Sequence, residues 1–141
     1  MKLKITKLKP NAKLPAYAHN TDAGMDLFAL EDRLIKHGEI AQIETGIAIE
    51  LPKGYAALIW DKSGIAMTQG LKVMGGVIDS GYSGDYTVGL ANLSGKDFKV
   101  EKHSKIAQAL IQKVEHPEII EVTKIAAGKR GTNRFGSTGK K

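Results

Sequence analysis

The chain has 141 residues, of which 42% are hydrophobic, enough for one domain whose buried core needs no covalent staples. Its 21 lysines and arginines against 15 acidic residues give a net charge of +6, which favours polyanionic partners, either nucleic acid or free nucleoside phosphates. The lack of cysteine excludes disulfides and thiolate metal sites, and no apolar run approaches the roughly 20 residues of a membrane helix. We therefore expect a soluble cytoplasmic protein with no membrane partner.

Alternation of apolar and polar residues dominates the chain and predicts β-strands. In chain order, the predicted strands cover residues 3–8, 40–51, 55–60, 71–74, 86–93, 98–100, 105–111 and 119–125. The single helical candidate, residues 63–69, is short. Many short strands without strand–helix alternation predict an all-β sandwich or barrel of one domain.

The N-terminal lysines are predicted to form the solvent face of an edge strand. Nucleic-acid-binding surfaces interleave basic residues with aromatic rings, and no such pattern is present here. The sequence therefore predicts no specific nucleic-acid partner.

Asp26 is the first candidate for chemistry, within the otherwise apolar segment 23–27 (AGMDL). An acid that points inward from an apolar run is costly unless it meets a cation or a metal ion. Asp26 is thus either associated with a metal or a cation at a site, or a turn aspartate at the start of a strand.

The triplet Lys62, Ser63 and Gly64 is the second candidate. A cation, a hydroxyl and an unhindered backbone amide in succession at a helix start can hold a phosphate group. The alternative is that Ser63 is an ordinary helix N-cap.

Residues 76–85 (GVIDSGYSGD) form the most informative segment. A strand end at Val77 and Ile78 delivers the Asp79 carboxylate to a turn in which Gly81 and Gly84 allow positive φ. Asp79 could orient a water molecule or accept a hydrogen bond from a sugar hydroxyl, and the Tyr82 ring could pack on that sugar. The alternative is a β-hairpin in which these residues serve only the turn.

Gln108 interrupts a run that otherwise reads as a buried strand, and a ligand phosphate or base could satisfy its amide. The four histidines show no ligand spacing and are predicted to be scattered surface side chains.

From residue 126 onward apolar residues almost vanish and glycines accumulate, which predicts a globular domain over residues 1–125 and a flexible C-terminal arm over 126–141. Residues 131–136 match the first six positions of a phosphate-loop pattern. Ser137 then stands where lysine is required, so we reject that interpretation.

Segments 23–27, 62–66, 76–85, 106–108 and 130–139 together resemble, in sequence order, the five motifs of the trimeric deoxyuridine triphosphatase (dUTPase) family. Residues 45–47 (TGI) and 51–55 (LPKGY) are similar to that family's framework. The resemblance covers nearly the whole chain, and its third and fifth motifs are specific.

The resemblance implies a jelly-roll-like distorted β-barrel that forms a homotrimer, with each active site built from all three subunits. It also implies a dUTP diphosphatase, in which water attacks the α-phosphorus of dUTP in line and releases dUMP and pyrophosphate. Such an enzyme keeps uracil out of DNA and supplies dUMP for thymidylate synthesis. The implied partners are dUTP and further copies of this chain.

The same resemblance assigns the site residue by residue. Asp79 would be the catalytic carboxylate that orients the attacking water, and Tyr82 would pack beneath the deoxyribose and leave no space for a 2′-hydroxyl. Phe135 would stack over uracil when the arm closes as a lid. The implied substrate-binding residues are Lys62, Ser63, Gly64, Gly76, Val77, Ile78, Tyr82, Gln108, Arg130, Arg134, Phe135, Gly136, Ser137 and Thr138.

The resemblance further implies Mg²⁺ as the cofactor, bridging the triphosphate with Asp26 nearby through water. Several residues depart from the family pattern. Lys62 replaces the customary arginine, so a bidentate grip on phosphate becomes a point charge. Lys105 also stands where arginine is usual, and Asn133 with Arg134 replaces two glycines in the arm. We expect activity to survive these departures with altered affinity.

Two other functions share this fold. A dCTP deaminase or bifunctional enzyme is disfavoured by segments 76–79 and 135–139, which favour hydrolysis. A regulatory protein that uses the nucleotide pocket as a switch is the alternative from another class.

Overall fold

In the computed structural model, residues 1–126 are described, and short strands joined by turns make up most of that part of the chain. The strands are β1 (Lys4–Lys7), β2 (Met25–Phe28), β3 (Arg33–Ile35), β4 (Ile40–Ile43), β5 (Ile47–Glu50), β6 (Tyr55–Asp61), β7 (Leu71–Met74), β8 (Val77–Asp79), β9 (Val88–Asn92), β10 (Phe98–Val100) and β11 (Lys105–Lys113). The helix α1 (Ser63–Gln69) connects β6 to β7. None of the helices in this part of the chain is long and apolar enough to cross a membrane.

The strands form two larger sheets and two pairs, all antiparallel. One sheet has the order β2-β11-β6-β8 and the other β4-β9-β7, while β1 pairs with β5 and β10 with β3. Apolar side chains from several of these layers, among them Leu27, Ile35, Ile49, Leu90 and Ile106, pack into one buried core. The all-β, jelly-roll-like fold predicted from the sequence is confirmed.

The predicted strand 40–51 is two strands in different sheets, because the chain turns at Gly46. This residue has φ of +70°, and a Cβ there would lie 2.8 Å from the Leu30 side chain. The adjoining Thr45 side chain is buried and donates to the Tyr86 carbonyl over 3.0 Å. Tight packing on both sides of the turn thus separates β4 from β5.

The predicted strand 119–125 was wrong. Those residues form no strand within the described chain, and Ile119, Ile120, Val122 and Ile125 are exposed. An alternating pattern becomes a strand only where another edge is available to pair with it. Conversely, β2 was missed because both of its faces are buried, so its sequence does not alternate.

Candidate active site

The four-stranded sheet brings three predicted site residues together at one end. Gln108 on β11 lies opposite Asp26 on β2 and opposite Trp60 on β6. The chain leaves β6 at Asp61 and continues through Lys62 into α1. Side chains that are far apart in the sequence therefore meet at this end because β11 is the central neighbour of both strands.

A cavity of about 710 Å³, here called the polar cavity, opens at this end of the sheet. Three of the predicted substrate-binding residues, Lys62, Ser63 and Gln108, line it, and Gly64 does not. The remaining lining residues are Ala18, His19, Asp22, Ala23, Gly24, Trp60, Asp61, Ala66, Met67 and Leu110. A cation, a hydroxyl and an amide on one wall suit an anionic ligand.

The start of α1 leaves the Ser63 hydroxyl available. Lys62, not Ser63, is the N-cap, with extended backbone angles (φ −80°, ψ 114°) and no side-chain capping bond. The interpretation of Ser63 as an ordinary cap was therefore wrong. Ser63 is the first helical residue, and Gly64 follows it with open space around its α-carbon.

Gln108 is held in place from two sides. Its Nε2 donates to the Asp61 carbonyl oxygen over 2.8 Å. Gly24 lies so close that a Cβ there would come within 2.5 Å of Gln108 Oε1. Because Gly24 has no side chain, it leaves the space that the Gln108 amide occupies.

Asp26 meets two cations. Its side chain is 2% exposed, with Lys62 Nζ 2.5 Å from Oδ1 and Lys105 Nζ 2.7 Å from Oδ2. Burial favours the neutral carboxyl, but the ion pairs with Lys105 and Lys62 outweigh it and hold the pKa of Asp26 below its usual range. The sequence predicted either a metal ion or a cation as the partner of Asp26, and in the structure its partners are the two lysine ammonium groups.

The Asp79 segment is not a hairpin, because the strands on its two sides belong to different sheets. β8 pairs with β6, whereas β9 pairs with β4 and β7. Gly81 and Gly84 do not have the positive φ that we expected; Gly76 does, at 108°. A Cβ at Gly76 would lie 2.5 Å from the Ile59 carbonyl oxygen, so this glycine permits the close approach of β8 to β6.

The loop after β8 is fastened through Asp85. The Asp85 carboxylate accepts hydrogen bonds from the backbone N–H groups of Thr45 (3.2 Å) and Gly46 (2.8 Å). The backbone carbonyl oxygen of Asp85 accepts a hydrogen bond from the Tyr82 hydroxyl over 2.9 Å. This fixes the Tyr82 ring, which is still about half exposed. Sequence reasoning missed Asp85, because Thr45 and Gly46 lie about 40 residues earlier in the chain and local sequence carries no signal of the contact.

Val77, Ile78, Asp79 and Tyr82 line a second cavity of about 250 Å³, here called the loop cavity, together with Asp85 and Thr87. Beneath it, Tyr86 is fully buried, and its ring centroid is 6.2 Å from that of Tyr82. Burial, with a smaller contribution from Tyr82, raises the pKa of Tyr86 to about 12, so its phenol is neutral. The loop cavity therefore combines a carboxylate, an aromatic ring and exposed backbone groups.

The two cavities lie at opposite ends of β6. Asp79 is paired with Ala56, and Lys62 is six residues further along the chain. Six residues of extended strand span about 20 Å. The backbone positions of Asp79 and Lys62 are therefore far apart within one chain.

Three neighbours of the polar cavity were not anticipated. His19, set aside from the sequence as a scattered surface residue, lines it, as does Trp60, the only tryptophan of the chain. Asp61 lines it as well, with its carboxylate tied to Lys72 Nζ (2.8 Å) and the Val73 N–H (2.7 Å). Trp60 and Asp61 are neighbours on β6, and the fold brings His19, from the segment before β2, to the same cavity. Local sequence carries no signal of that approach.

Six predicted residues of the arm lie outside the described chain: Arg130, Arg134, Phe135, Gly136, Ser137 and Thr138. Within residues 1–126, no group of three or more histidine and acidic side chains could hold a metal ion.

Comparison with known proteins adds independent findings. A sequence profile of the dUTPase family matches residues 10–139. The chain is 49% identical over 140 residues to the deoxyuridine 5′-triphosphate nucleotidohydrolase of Clostridium tetani, covering 98% of this chain and 97% of that protein. It is 45% identical to that of Alkaliphilus metalliredigens, covering 99% and 98%.

Solved structures are similar too. A mutant dUTPase of Staphylococcus bacteriophage 80alpha with dUpNHpp superposes with a TM-score of 0.91 at 29% identity, covering 98% of each chain. A mutant dUTPase of phage phi11, whose structure concerns a structural Mg(II) ion, has a TM-score of 0.83 at 26% identity and covers 88% of this chain and 98% of that one.

Proposed function

The chain belongs to the dUTPase family, and from this we propose that it hydrolyses dUTP to dUMP and pyrophosphate. The observation that carries the proposal is the match to deoxyuridine 5′-triphosphate nucleotidohydrolases over nearly the full chain, at up to 49% identity. The geometry agrees with it, because one cavity suits phosphates and the other suits a base with its sugar.

In this proposal Asp79 is the catalytic carboxylate. It orients a water molecule for in-line attack on the α-phosphorus and accepts a hydrogen bond from the 3′-hydroxyl. Tyr82, fixed through Asp85, supports the deoxyribose and clashes with a 2′-hydroxyl, which excludes ribonucleotides. Backbone groups of Gly76, Val77 and Ile78 read the uracil.

The phosphates bind in the polar cavity. Lys62 contributes a positive charge, and Ser63 and Gln108 contribute donors from the lining of the cavity. The N–H of Gly64, the residue after Ser63 in α1, adds a further donor. Because Lys62 is a point charge, it attracts the triphosphate without fixing its orientation as an arginine fork would. Orientation then rests more on Ser63 and Gln108.

We also propose that the active form is a homotrimer whose sites are shared between subunits. The support is the separation of about 20 Å along β6 between Asp79 and Lys62, which another copy of the chain could close. Further support comes from exposed apolar side chains that a subunit interface would bury: Trp60, Met67, Val77, Ile119, Ile120, Val122 and Ile125.

The remaining parts of the site are the metal and the arm. Residues 1–126 contain no cluster of acidic and histidine side chains that could hold a metal ion. We therefore propose that Mg²⁺ would be held by the triphosphate oxygens and would arrive with the substrate. Asp26 does not fit the expected contact with the ion through water, because it is 2% exposed and each of its oxygens faces an ammonium group. For the arm we propose, from the family resemblance alone, that Phe135 binds on uracil and Arg130 binds the γ-phosphate.

The proposal is tested by pyrophosphate release, with Mg²⁺ present, from dUTP, dCTP, dTTP and UTP in parallel. We expect rapid turnover of dUTP alone and its loss in Asp79→Asn, which keeps the size of the side chain and removes its charge. Tight binding of dUTP without turnover would instead favour the regulatory function. Release of ammonia from dCTP would favour the deaminase.

A further inference from the structure

Lys105 lies outside the polar cavity yet contacts the same buried carboxylate as Lys62. Asp26 Oδ2 is 2.7 Å from Lys105 Nζ, and Oδ1 is 2.5 Å from Lys62 Nζ. Lys62 lines the polar cavity, whereas Lys105 is not among its lining residues. These three side chains are here called the Asp26 triad.

A bulge in β11 makes the contact with Lys105 possible. Gln108 is the cross-strand partner of Asp26, so the two side chains share a face of the sheet. Lys105 is three residues earlier, and in a regular strand an odd offset places a side chain on the other face. The pairing shifts between Lys105 and Ala107, which re-aims Lys105 toward Asp26.

The charge of the triad depends on both lysines. One carboxylate between two ammonium groups leaves a net charge of +1, and the cationic member that reaches the polar cavity is Lys62. Without Lys105, the Asp26 carboxylate would neutralise Lys62 alone, and the wall of the cavity would lose its net positive charge. The other charged groups on that wall do not replace it, since Asp22 is acidic and Asp61 is paired with Lys72.

We propose that Lys105 is a positioning residue for the triphosphate: by compensating Asp26, it leaves the charge of Lys62 free to attract phosphate. In the same arrangement Asp26 is the anchor of two lysines, not a partner of the metal. The inference rests on the proposed function for the identity of the nucleotide, but its charge argument applies to any polyphosphate in the cavity.

The experiment compares the affinities of the wild type, Lys105→Met, Lys105→Arg and Lys99→Met, measured by isothermal titration calorimetry, which detects binding in either cavity. Lys99 pairs with Asp32 on the surface, so Lys99→Met makes the same change in net charge away from the site. The probes are dUpNHpp, inorganic tripolyphosphate and deoxyuridine, which carries no phosphate. Melting temperatures establish that each variant is folded.

We expect Lys105→Met to weaken the binding of dUpNHpp and of tripolyphosphate about tenfold and to leave the affinity for deoxyuridine unchanged. The loss is large because the charges lie within a few ångströms of one another in a partly buried site. Lys105→Arg restores the affinity, and Lys99→Met has no effect. Equal affinities of Lys105→Met and Lys99→Met for dUpNHpp would overturn the inference alone. A Lys105-dependent affinity for tripolyphosphate, without any preference for dUpNHpp or turnover of dUTP, would uphold it and refute the proposed function.

A second readout separates the anchor from a metal partner. Mn²⁺ is titrated into the enzyme saturated with dUpNHpp and followed by electron paramagnetic resonance, in the wild type and in Asp26→Asn. We expect Mn²⁺ affinities that agree within about twofold, because the triphosphate supplies the ligands. A large loss of Mn²⁺ affinity in Asp26→Asn would show that the carboxylate serves the metal and would overturn the inference.

Discussion

At the scale of single residues, Gly24 determines where the side-chain amide of Gln108 lies. A Cβ at this position would lie 2.5 Å from Gln108 Oε1, so Gly24→Ala displaces the amide from its bond to the Asp61 carbonyl. We expect about a tenfold loss of dUpNHpp affinity with the fold intact, because a single charge-assisted contact is displaced. Equilibrium binding and thermal melting measure the two quantities.

The control for this prediction is a double-mutant cycle. Because Gly24 acts through Gln108, adding Gly24→Ala to Gln108→Ala should weaken binding little further. Fully additive losses would refute the proposed link between the two residues.

Asp85 is the residue that holds the Tyr82 loop against the β4–β5 turn. Asp85→Asn keeps the shape but replaces acceptors for the Thr45 and Gly46 N–H groups with an amide. We expect a loss of about 1–3 kcal/mol in the free energy of unfolding, measured in urea. Asp97→Asn is the matched control, since Asp97 accepts a single backbone bond, from His37, on the surface. A loss in Asp85→Asn no larger than in this control would contradict the assigned role.

At the scale of elements, the end of β6 is tied to β7 through Asp61. Burial opposes ionisation of this carboxyl, but the Lys72 ammonium and the Val73 N–H outweigh burial and hold its pKa below the ordinary 3.8. A carboxyl whose pKa is lower in the folded protein stabilises the fold fully above its unfolded pKa. That stabilisation disappears as the pH falls through the lower, folded value.

We therefore expect Asp61→Asn to be less stable than the wild type at pH 7, with a difference that shrinks as the pH falls below 3.8. Urea unfolding across this range measures it. A difference that stays constant down to pH 2 would show that the ion pair and the N–H bond do not stabilise the folded state.

Elements also show what the sequence can and cannot predict. The predicted β7 and the helix α1 match the observed bounds, since strict alternation and a short helical pattern between turns are local signals. β2 was missed because burial on both faces removes the alternation. The predicted strand 119–125 failed for the opposite reason, since its alternation is real but no partner strand lies beside it in the described chain.

In the candidate site, too, local sequence predicted the residues but not the contacts that the fold creates between them. Asp79, Lys62, Ser63 and Gln108 were candidates from their local sequence, and the family resemblance then assigned their roles. The structure places the last three around one cavity. The contacts of Lys105 with Asp26 and of Asp85 with the β4–β5 turn could not be predicted. The first depends on a bulge in β11 and the second on the packing of a loop against a distant turn, and local sequence reveals neither.

At the scale of the whole molecule, the separation of Asp79 from Lys62 decides whether the site is shared. If each subunit supplies its Asp79 to a site whose phosphate residues belong to a neighbour, two inactive variants can complement one another in a mixed trimer. One partner is Asp79→Asn and the other carries Lys62→Met with Gln108→Ala. Each variant trimer alone lacks every complete site.

The decisive measurement is dUTP turnover, as pyrophosphate release, by trimers assembled from equal amounts of these two variants. Random assembly of two subunit types in a closed three-fold ring leaves one complete site in each mixed trimer, so we expect about a quarter of the wild-type rate. A mixed sample no more active than the two parent variants, under conditions where exchange of subunits is demonstrated, would contradict the shared site.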